Sequence, residues 1–247
     1  METAYAQYTD ILSPPPDRPP HRLTTYLLRA RDEWDRFSRR FYPQRYNTYA
    51  RISYGGYAEQ DTAVLYYDSQ RAYTLSVMAH EGWHQYLYSV AATPIPAWLN
   101  EGLACYCEAF EMQDETPVFT PRRNTFRLNH LREALAGNGL IPLREILATD
   151  AGRVLDQNKA RPYYAQVWAL AVYLRHGERG KYAAGLERLL ADLVAGELTR
   201  RAGGARLGTA RPADVSPGEA VFIAYISDDL DEFERGFQAF AIDLAAY

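Results

Sequence analysis

Two histidines and a glutamate stand in the order that a catalytic zinc site requires, within the segment His80-Glu81-Gly82-Trp83-His84. Residues four apart on an α-helix lie about 40° apart around its axis, so His80 and His84 project side by side and can bind one ion. Glu81 lies about 100° beyond His80, which is too far round for a third ligand but close enough to reach a water on the metal. Two ligands and a base on one short helix are typical of a zinc hydrolase.

A second segment supplies a carboxylate for the same ion. It reads Trp98-Leu99-Asn100-Glu101-Gly102-Leu103-Ala104, and residues 85 to 100 separate its glutamate from His84. Pro96 suits the first turn of a new helix, which places Glu101 about one turn inside that helix. Two imidazoles and one carboxylate leave an open position for water, as catalytic zinc sites do. The sequence therefore predicts one Zn²⁺ per chain, held by His80, His84 and Glu101.

The first two ligands need a helix to position them, and apolar residues around them recur at spacings of three and four. Asp68-Ser69 offers an N-cap before this stripe. On a helical wheel the two histidines border the stripe and Glu81 lies past them, so we expect Glu81 to face a cleft. The stripe consists of Leu75, Ala79, Trp83, Tyr86, Leu87 and Val90.

These two motifs together resemble those of the gluzincin zinc metallopeptidases, in particular the bacterial peptidase MA-like families. The close likeness covers residues 75–108, and a weaker one begins at Tyr163-Tyr164-Ala165-Gln166 and runs to the C-terminus. The resemblance implies that His80, His84 and Glu101 bind zinc and that Glu81 is the general base. No Gly-x-x-His follows His84, which separates the chain from the metzincins.

The chain departs from the thermolysin-like pattern at one position. In those enzymes a carboxylate one turn after the glutamate ligand orients a zinc histidine, and here that position is Cys105. Glu108, one turn further along the same face, either supports a histidine or is a solvated helix residue. The sequence favours the solvated residue.

The family resemblance also implies a tyrosine that stabilises the oxyanion. Gluzincins of the aminopeptidase type carry it on a helix some sixty residues after the glutamate ligand, and Tyr163 and Tyr164 stand at about that distance. Tyr164 fits the family pattern better. The alternative is an aromatic side chain that serves packing, with its hydroxyl hydrogen-bonded.

Composition excludes several other classes of protein. The chain has 247 residues and a formal net charge of −4, which gives no electrostatic footprint for nucleic acid. No apolar run approaches the length of a membrane span. The start shows no basic region followed by an apolar core, so a signal peptide is not expected, and the absence of a disulfide framework mildly favours a reducing, cytoplasmic location. Export of a mature form stays open.

Pattern along the chain predicts an α+β, zincin-like metallopeptidase fold with a small β-containing N-terminal lobe and a helical C-terminal lobe. Residues 1–20 are proline-rich and predicted to be an extended leader, and residues 21–247 a single catalytic domain. Within it, 21–90 form the N-terminal lobe with the active-site helix and 91–247 the helical lobe. Strands are predicted over 22–28, 49–57 and 62–67. Gly55-Gly56 marks either a substrate-pairing edge strand or, as we favour, a bulge or turn.

Three functions are compatible with these residues. The leading expectation is a peptidase acting on a peptide or protein substrate, with endopeptidase favoured over aminopeptidase. A zincin fold that binds peptides without cleaving them is the second, although the presence of Glu81 argues against it. A zinc hydrolase of a non-peptide amide is the third, and a substrate screen separates it from a peptidase.

Overall fold

The computed structural model describes residues 2–12, 22–52, 55–149, 153, 159–203 and 215–246. Within these ranges the protein is a mixed α+β fold, mainly helical, with two small sheets. The strands are β1 (Thr24–Leu28), β2 (Gly56–Glu59), β3 (Thr62–Tyr66), β4 (Phe110–Gln113) and β5 (Thr116–Phe119). The helices are α1 (Glu2–Ile11), α2 (Arg31–Phe41), α3 (Tyr46–Tyr49), α4 (Arg71–Val90), α5 (Ala97–Cys107), α6 (Thr125–Ala136), α7 (Leu143–Ala148), α8 (Ala160–His176), α9 (Ala183–Ala195), α10 (Leu198–Gly203), α11 (Pro217–Tyr225) and α12 (Leu230–Ala246).

The first sheet has the order β1-β3-β2, with β1 parallel and β2 antiparallel to the central β3. Helix α2 covers it through Trp34, which is fully buried and donates from its indole nitrogen to Val64 O at 3.1 Å. The strand β2 is an edge of this sheet and lies against α4. The edge strand β2 therefore packs against α4, the helix that carries His80 and His84.

Helices α4, α5 and α8 form the centre of the main core. Helices α5 and α8 approach closely at Gly102, where an added Cβ would lie only 2.7 Å from the carbonyl oxygen of Val167. On the other side of α4, the apolar stripe predicted from spacing is largely buried, with Trp83, Tyr86 and Leu87 fully so. The metal motifs therefore sit on two packed helices whose backs are fixed by core side chains.

Helix α1 corrects the prediction of an extended leader over residues 1–20. Residues 2–11 are helical, and Tyr8 is buried and donates its hydroxyl proton to Ala79 O at 2.9 Å. The apolar side chains of Tyr8, Ile11 and Leu12 join the main core, and this burial outweighs the extended tendency that the neighbouring prolines suggest. The prolines themselves, within residues 13–21, lie outside the described residues.

The strand predicted over residues 49–57 is wrong over its first part. Tyr49 ends α3 and is followed by a turn, residues 53 and 54 lie outside the described residues, and β2 begins only at Gly56. Tyr49 and Tyr57 stack on each other at 3.7 Å between ring centroids in a second small core. Residues 91–247, predicted as the helical lobe, are mainly helical where the structure describes them and also contain the antiparallel hairpin β4–β5. Apolar residues at helical spacing also predict helices over 31–41, 142–148, 162–175, 182–194 and 230–244, and α2, α7, α8, α9 and α12 confirm them within a few residues.

The domain boundaries predicted for residues 21–247 stay a prediction. The glycines and prolines of residues 203–217 predict a loop, and residues 204–214 of it lie outside the described residues. No helix in the described part of the chain is long and apolar enough to cross a membrane.

Candidate metal centre

Three side chains on α4 and α5 converge on one point. The Nε2 atoms of His80 and His84 lie 3.1 Å apart, and Glu101 Oε2 lies 3.4 Å and 3.5 Å from them. The side chains are largely buried from solvent: His80 is 12%, His84 7% and Glu101 11% exposed. The three residues predicted as ligands are thus brought together, each by one atom.

The spacing of these atoms fits a tetrahedral ion. Zinc bonds of about 2.0–2.1 Å place neighbouring ligand atoms about 3.3 Å apart, which is close to the observed separations of 3.1–3.5 Å. Glu101 Oε2 is also buried and accepts no hydrogen bond of ordinary geometry from the described residues. A buried carboxylate oxygen without a partner is costly, and a cation at this point would satisfy it.

Glu108 supports His80 from behind, contrary to the expectation of a solvated helix residue. Its Oε1 accepts a hydrogen bond from His80 Nδ1 at 2.8 Å, and the side chain is only 6% exposed. Its Oε2 accepts from Asn124 Nδ2 at 2.9 Å and from Arg127 Nε at 2.8 Å. The proton on Nδ1 leaves the Nε2 lone pair of His80 free for a metal.

Asn100 supports His84 in the same way but without charge. Its Oδ1 accepts from His84 Nδ1 at 2.9 Å, and its Nδ2 donates to the hydroxyl of Tyr88 at 3.0 Å. The Tyr88 ring lies nearly parallel to the His84 ring, with centroids 6.0 Å apart. Both imidazoles are therefore held so that Nε2, and not Nδ1, faces the other and Glu101.

Glu81 lies beside the three converging side chains but does not face an open cleft as predicted. It is buried, at 5% exposed, under the edge strand β2, where an added Cβ on Gly56 would lie 3.2 Å from Glu81 Cγ and 2.8 Å from Val64 O. The glycine is therefore needed for close approach of the strand, and Gly56 begins β2 where we had favoured a bulge or turn. Burial raises the pKa of Glu81, against the opposing charges of His80 and His84.

The two candidate tyrosines differ in position. Tyr164 has its ring 6.4 Å from the His80 ring and lies under the guanidinium of Arg127, whose Cζ is 5.0 Å from the ring centroid. Tyr163 is fully buried and packs edge-on against Tyr164. Burial and the nearby carboxylate of Glu101 raise the pKa of Tyr164 well above its usual value, so its hydroxyl keeps its proton. Its oxyanion role stays a prediction.

Charge compensation sets the ionisation of the supporting carboxylate. Burial alone would raise the pKa of Glu108, but the charge of Arg127 and the hydrogen bonds from His80 and Arg127 hold it well below its usual range. Glu101 behaves alike, since the two imidazoles lower its pKa against the effect of burial. Both carboxylates are therefore ionised at neutral pH.

Cys105 occupies the position where a carboxylate was expected from the family pattern. Its Sγ lies 4.0 Å from His80 Nδ1, and His80, Cys105 and Glu108 are a second group able to hold a metal ion by proximity. Burial raises the pKa of Cys105 to about 11, so the sulfur is a thiol at neutral pH. Because Glu108 already takes the His80 Nδ1 proton and pairs with Arg127, the converging Nε2 atoms form the better-suited site.

Several residues of the segment 98–104 make contacts that fix the position of Glu101 on α5. Trp98 donates from its indole nitrogen to Gly218 O at 3.1 Å, Asn100 holds His84, and Gly102 lets α5 lie against α8. Leu99 and Leu103 are buried in the core. The sequence did not point to Asn124 or Arg127, because their contacts with Glu108 span 16 and 19 residues and leave no local pattern.

Comparison with known proteins gives a likeness to a family over part of the chain and no activity. The family described as "Protein of unknown function (DUF1570)" matches residues 74–191, from the first turn of α4 into α9. The match includes every side chain of the metal centre described above. No curated protein and no solved structure matches the chain.

Proposed function

We propose that this protein is a zinc-dependent peptide-bond hydrolase with a zincin-like fold, of the gluzincin type. The observation that carries the proposal is the convergence of His80 Nε2, His84 Nε2 and Glu101 Oε2 within 3.1–3.5 Å, with both Nδ1 atoms already hydrogen-bonded. This is the donor set and spacing of a catalytic His₂Glu zinc site. The order of residues on α4 and α5 supports the same assignment.

The chain's own residues divide the chemistry between them. His80, His84 and Glu101 would hold the ion, which when bound supplies Lewis acidity and lowers the pKa of a coordinated water towards neutrality. Glu81 would act as the general base, taking up a proton during hydrolysis and passing it to the leaving amine. Its burial suits this role, since desolvation raises the pKa of the carboxyl and makes it a better proton acceptor.

Tyr164 is the proposed hydrogen-bond donor to the developing oxyanion. It is partly buried beside His80 and retains its hydroxyl proton. A hydrogen-bond donor already aimed at the developing charge needs little reorganisation when the charge forms.

Endopeptidase action is favoured by the state of Glu59. An aminopeptidase needs a carboxylate to hold the free amine of its substrate, and Glu59, in the edge strand β2, ends a stretch that is only distantly similar to the one gluzincin aminopeptidases use for this. Glu59 instead accepts a hydrogen bond from the Tyr49 hydroxyl and lies 3.6 Å from Arg45 Nε. Its charge is thus committed to the N-terminal part of the fold.

Zinc content and peptide hydrolysis, measured on the same preparations, test the proposal. Elemental analysis of the wild type should find about one zinc per chain, and a quenched peptide library should be cleaved in a chelator-sensitive way. Glu101→Ala should lose the zinc. Glu81→Gln should keep the zinc and lose cleavage by about 10²–10⁴-fold. Glu133→Ala removes an exposed glutamate on α6 and should change neither.

Each other result points to a different function. Zinc with hydrolysis of non-peptide amides alone would replace the substrate class. Zinc without any hydrolysis would favour a binding module, and absence of zinc from the wild type would overturn the metal centre itself.

A further inference from the structure

Arg127 contacts two parts of the metal centre that come from different helices. Its Nε donates to Glu108 Oε2 at 2.8 Å, and its Nη2 donates to Glu108 Oε1, the oxygen that accepts from His80 Nδ1. The same guanidinium lies over the ring of Tyr164, with Cζ 5.0 Å from the centroid. The Arg127 side chain is only 12% exposed, so water competes little for these contacts.

The bidentate contact fixes the direction of the Glu108 carboxylate. Two parallel N–H groups hold the plane of the carboxylate more firmly than one donor could. Without Arg127, Glu108 would be a buried charge whose remaining partners, Asn124 and His80, carry no fixed positive charge. If the unpaired Glu108 carboxylate turned away, His80 Nδ1 would lose its hydrogen-bond acceptor. His80 could then take the tautomer that carries the proton on Nε2, where it blocks metal binding.

The stacked contact fixes the Tyr164 ring. A guanidinium over an aromatic face attracts it and limits its movement, and the planar group can do this while bonding a carboxylate with its edge. Asn124 donates to Glu108 Oε2 and to Cys105 O. Arg127 is thus placed to keep His80 and Tyr164 in a fixed relation, 6.4 Å between ring centroids.

We infer that Arg127 is a positioning residue that fixes His80 through Glu108 and fixes Tyr164 through its ring. This inference rests on the proposed function for the metal and for Tyr164. The effects on His80 and on Tyr164 are both measured as binding and need no cleavage of a substrate. The inference about Arg127 can therefore be wrong while the peptidase assignment is right, and the reverse.

Zinc affinity, measured by competition with a chromophoric chelator, tests the contact with His80. Arg127→Met should weaken Zn²⁺ binding by about ten- to a hundredfold, as loss of outer partners of a ligand does. Arg127→Lys should recover most of that affinity, because an ammonium still pairs with Glu108. The matched control Arg132→Met changes an exposed arginine of the same helix, hydrogen-bonded to Ala245 O, and should leave zinc binding unchanged.

Binding of acetohydroxamate to the zinc-saturated protein tests the contact with Tyr164. Arg127→Met and Arg127→Lys should both weaken it, by about three- to tenfold, since a lysine cannot bond both carboxylate oxygens and cover the ring at once. Tyr164→Phe should weaken it similarly, and adding Arg127→Met to Tyr164→Phe should weaken it little further.

The double variant Arg127→Met/Glu108→Gln distinguishes a folding defect, caused by an unpaired buried charge, from the loss of positioning at His80. It removes both buried charges and keeps an acceptor for His80. Zinc binding as tight as wild type in Arg127→Met would overturn the inference. Additive effects of Arg127→Met and Tyr164→Phe on acetohydroxamate would overturn its second half. Wild-type zinc binding without peptide cleavage would overturn only the peptidase assignment, and failure of the wild type to bind zinc would overturn both.

Discussion

His80 and His84 carry out the same geometric task with opposite kinds of support. Behind His80 stands an ionised carboxylate, Glu108, which is itself held by Arg127 and Asn124. Behind His84 stands the neutral amide of Asn100, held by the Tyr88 hydroxyl. Both partners accept the Nδ1 proton at nearly the same distance, 2.8 Å and 2.9 Å.

The difference lies in what each support costs the fold. A buried carboxylate needs a buried cation and further hydrogen bonds, whereas a buried amide needs only ordinary partners. The charged support in return increases the basicity of the imidazole more than a neutral acceptor does. The charged Glu108 therefore raises the basicity of His80 at some cost in the stability of the fold. The neutral Asn100 orients His84 at a smaller cost.

Removal of each support should show unequal losses of zinc affinity. Glu108→Ala should weaken Zn²⁺ binding by about 100-fold and Asn100→Ala by about 10-fold, at the two ends of the usual range for outer partners. Glu108→Ala also leaves Arg127 buried and unpaired, which should lower the free energy of unfolding by about 3–5 kcal/mol. Chelator competition and urea unfolding measure the two effects. Equal losses of affinity would show that the charge on Glu108 does not tune His80.

Gly56→Ala should lower the rate of hydrolysis and leave the support of His80 and His84, and hence zinc affinity, nearly unchanged. The added methyl group would meet Val64 O and Glu81 Cγ, so either β2 or the Glu81 side chain must move. A misplacement of about 1 Å in a catalytic group can lower the rate about 100-fold, whereas zinc affinity should stay within a few-fold of wild type. A matched loss of zinc would mean that β2 also holds the ligands. Gly203→Ala, where an added Cβ meets nothing within 4 Å, is the control.

Local spacing predicts the three residues that converge at the candidate metal centre, but not the residues that hold their side chains in place. His80 and His84 are one helical turn apart, and the proline-started helix fixes Glu101, so short-range geometry is sufficient. Glu108 was expected in solvent because a charged residue at a helix end usually is, and only tertiary packing with Arg127 reverses this.

The same limit explains the errors in the fold. The strand predicted over residues 49–57 follows β-propensity, whereas packing of Tyr49 on Tyr57 decides the structure. Helix α1 has a weak pattern of its own and depends on burial of Tyr8 and Leu12 against the core.

Acid should weaken the charged support and leave the neutral one intact. Arg127 and the hydrogen bonds keep the pKa of Glu108 lower in the folded than in the unfolded protein, against the effect of burial. The unfolded state therefore binds the proton more readily, so this stabilisation is complete above about pH 4.5 and is lost as pH falls below it. In chelator, the free energy of unfolding of the wild type should fall by about 2 kcal/mol more than that of Glu108→Gln between pH 6 and pH 3. Parallel curves would contradict the ionised state of Glu108. Asn100→Ala should follow the wild-type slope.

The smallest effect should come from the outermost partner of the neutral support. Tyr88 is 41% exposed, so water can replace its hydroxyl as the acceptor for Asn100 Nδ2 in Tyr88→Phe. Zinc affinity should then fall by no more than about threefold, in contrast to the loss expected when Arg127, the corresponding partner of the buried Glu108, is replaced. Chelator competition on Tyr88→Phe, with the exposed Tyr67→Phe as the matched control, measures it. A tenfold loss would show that the Asn100–Tyr88 contact, like the Glu108–Arg127 contact, is closed to water, and the two histidines would then differ only in the charge behind them.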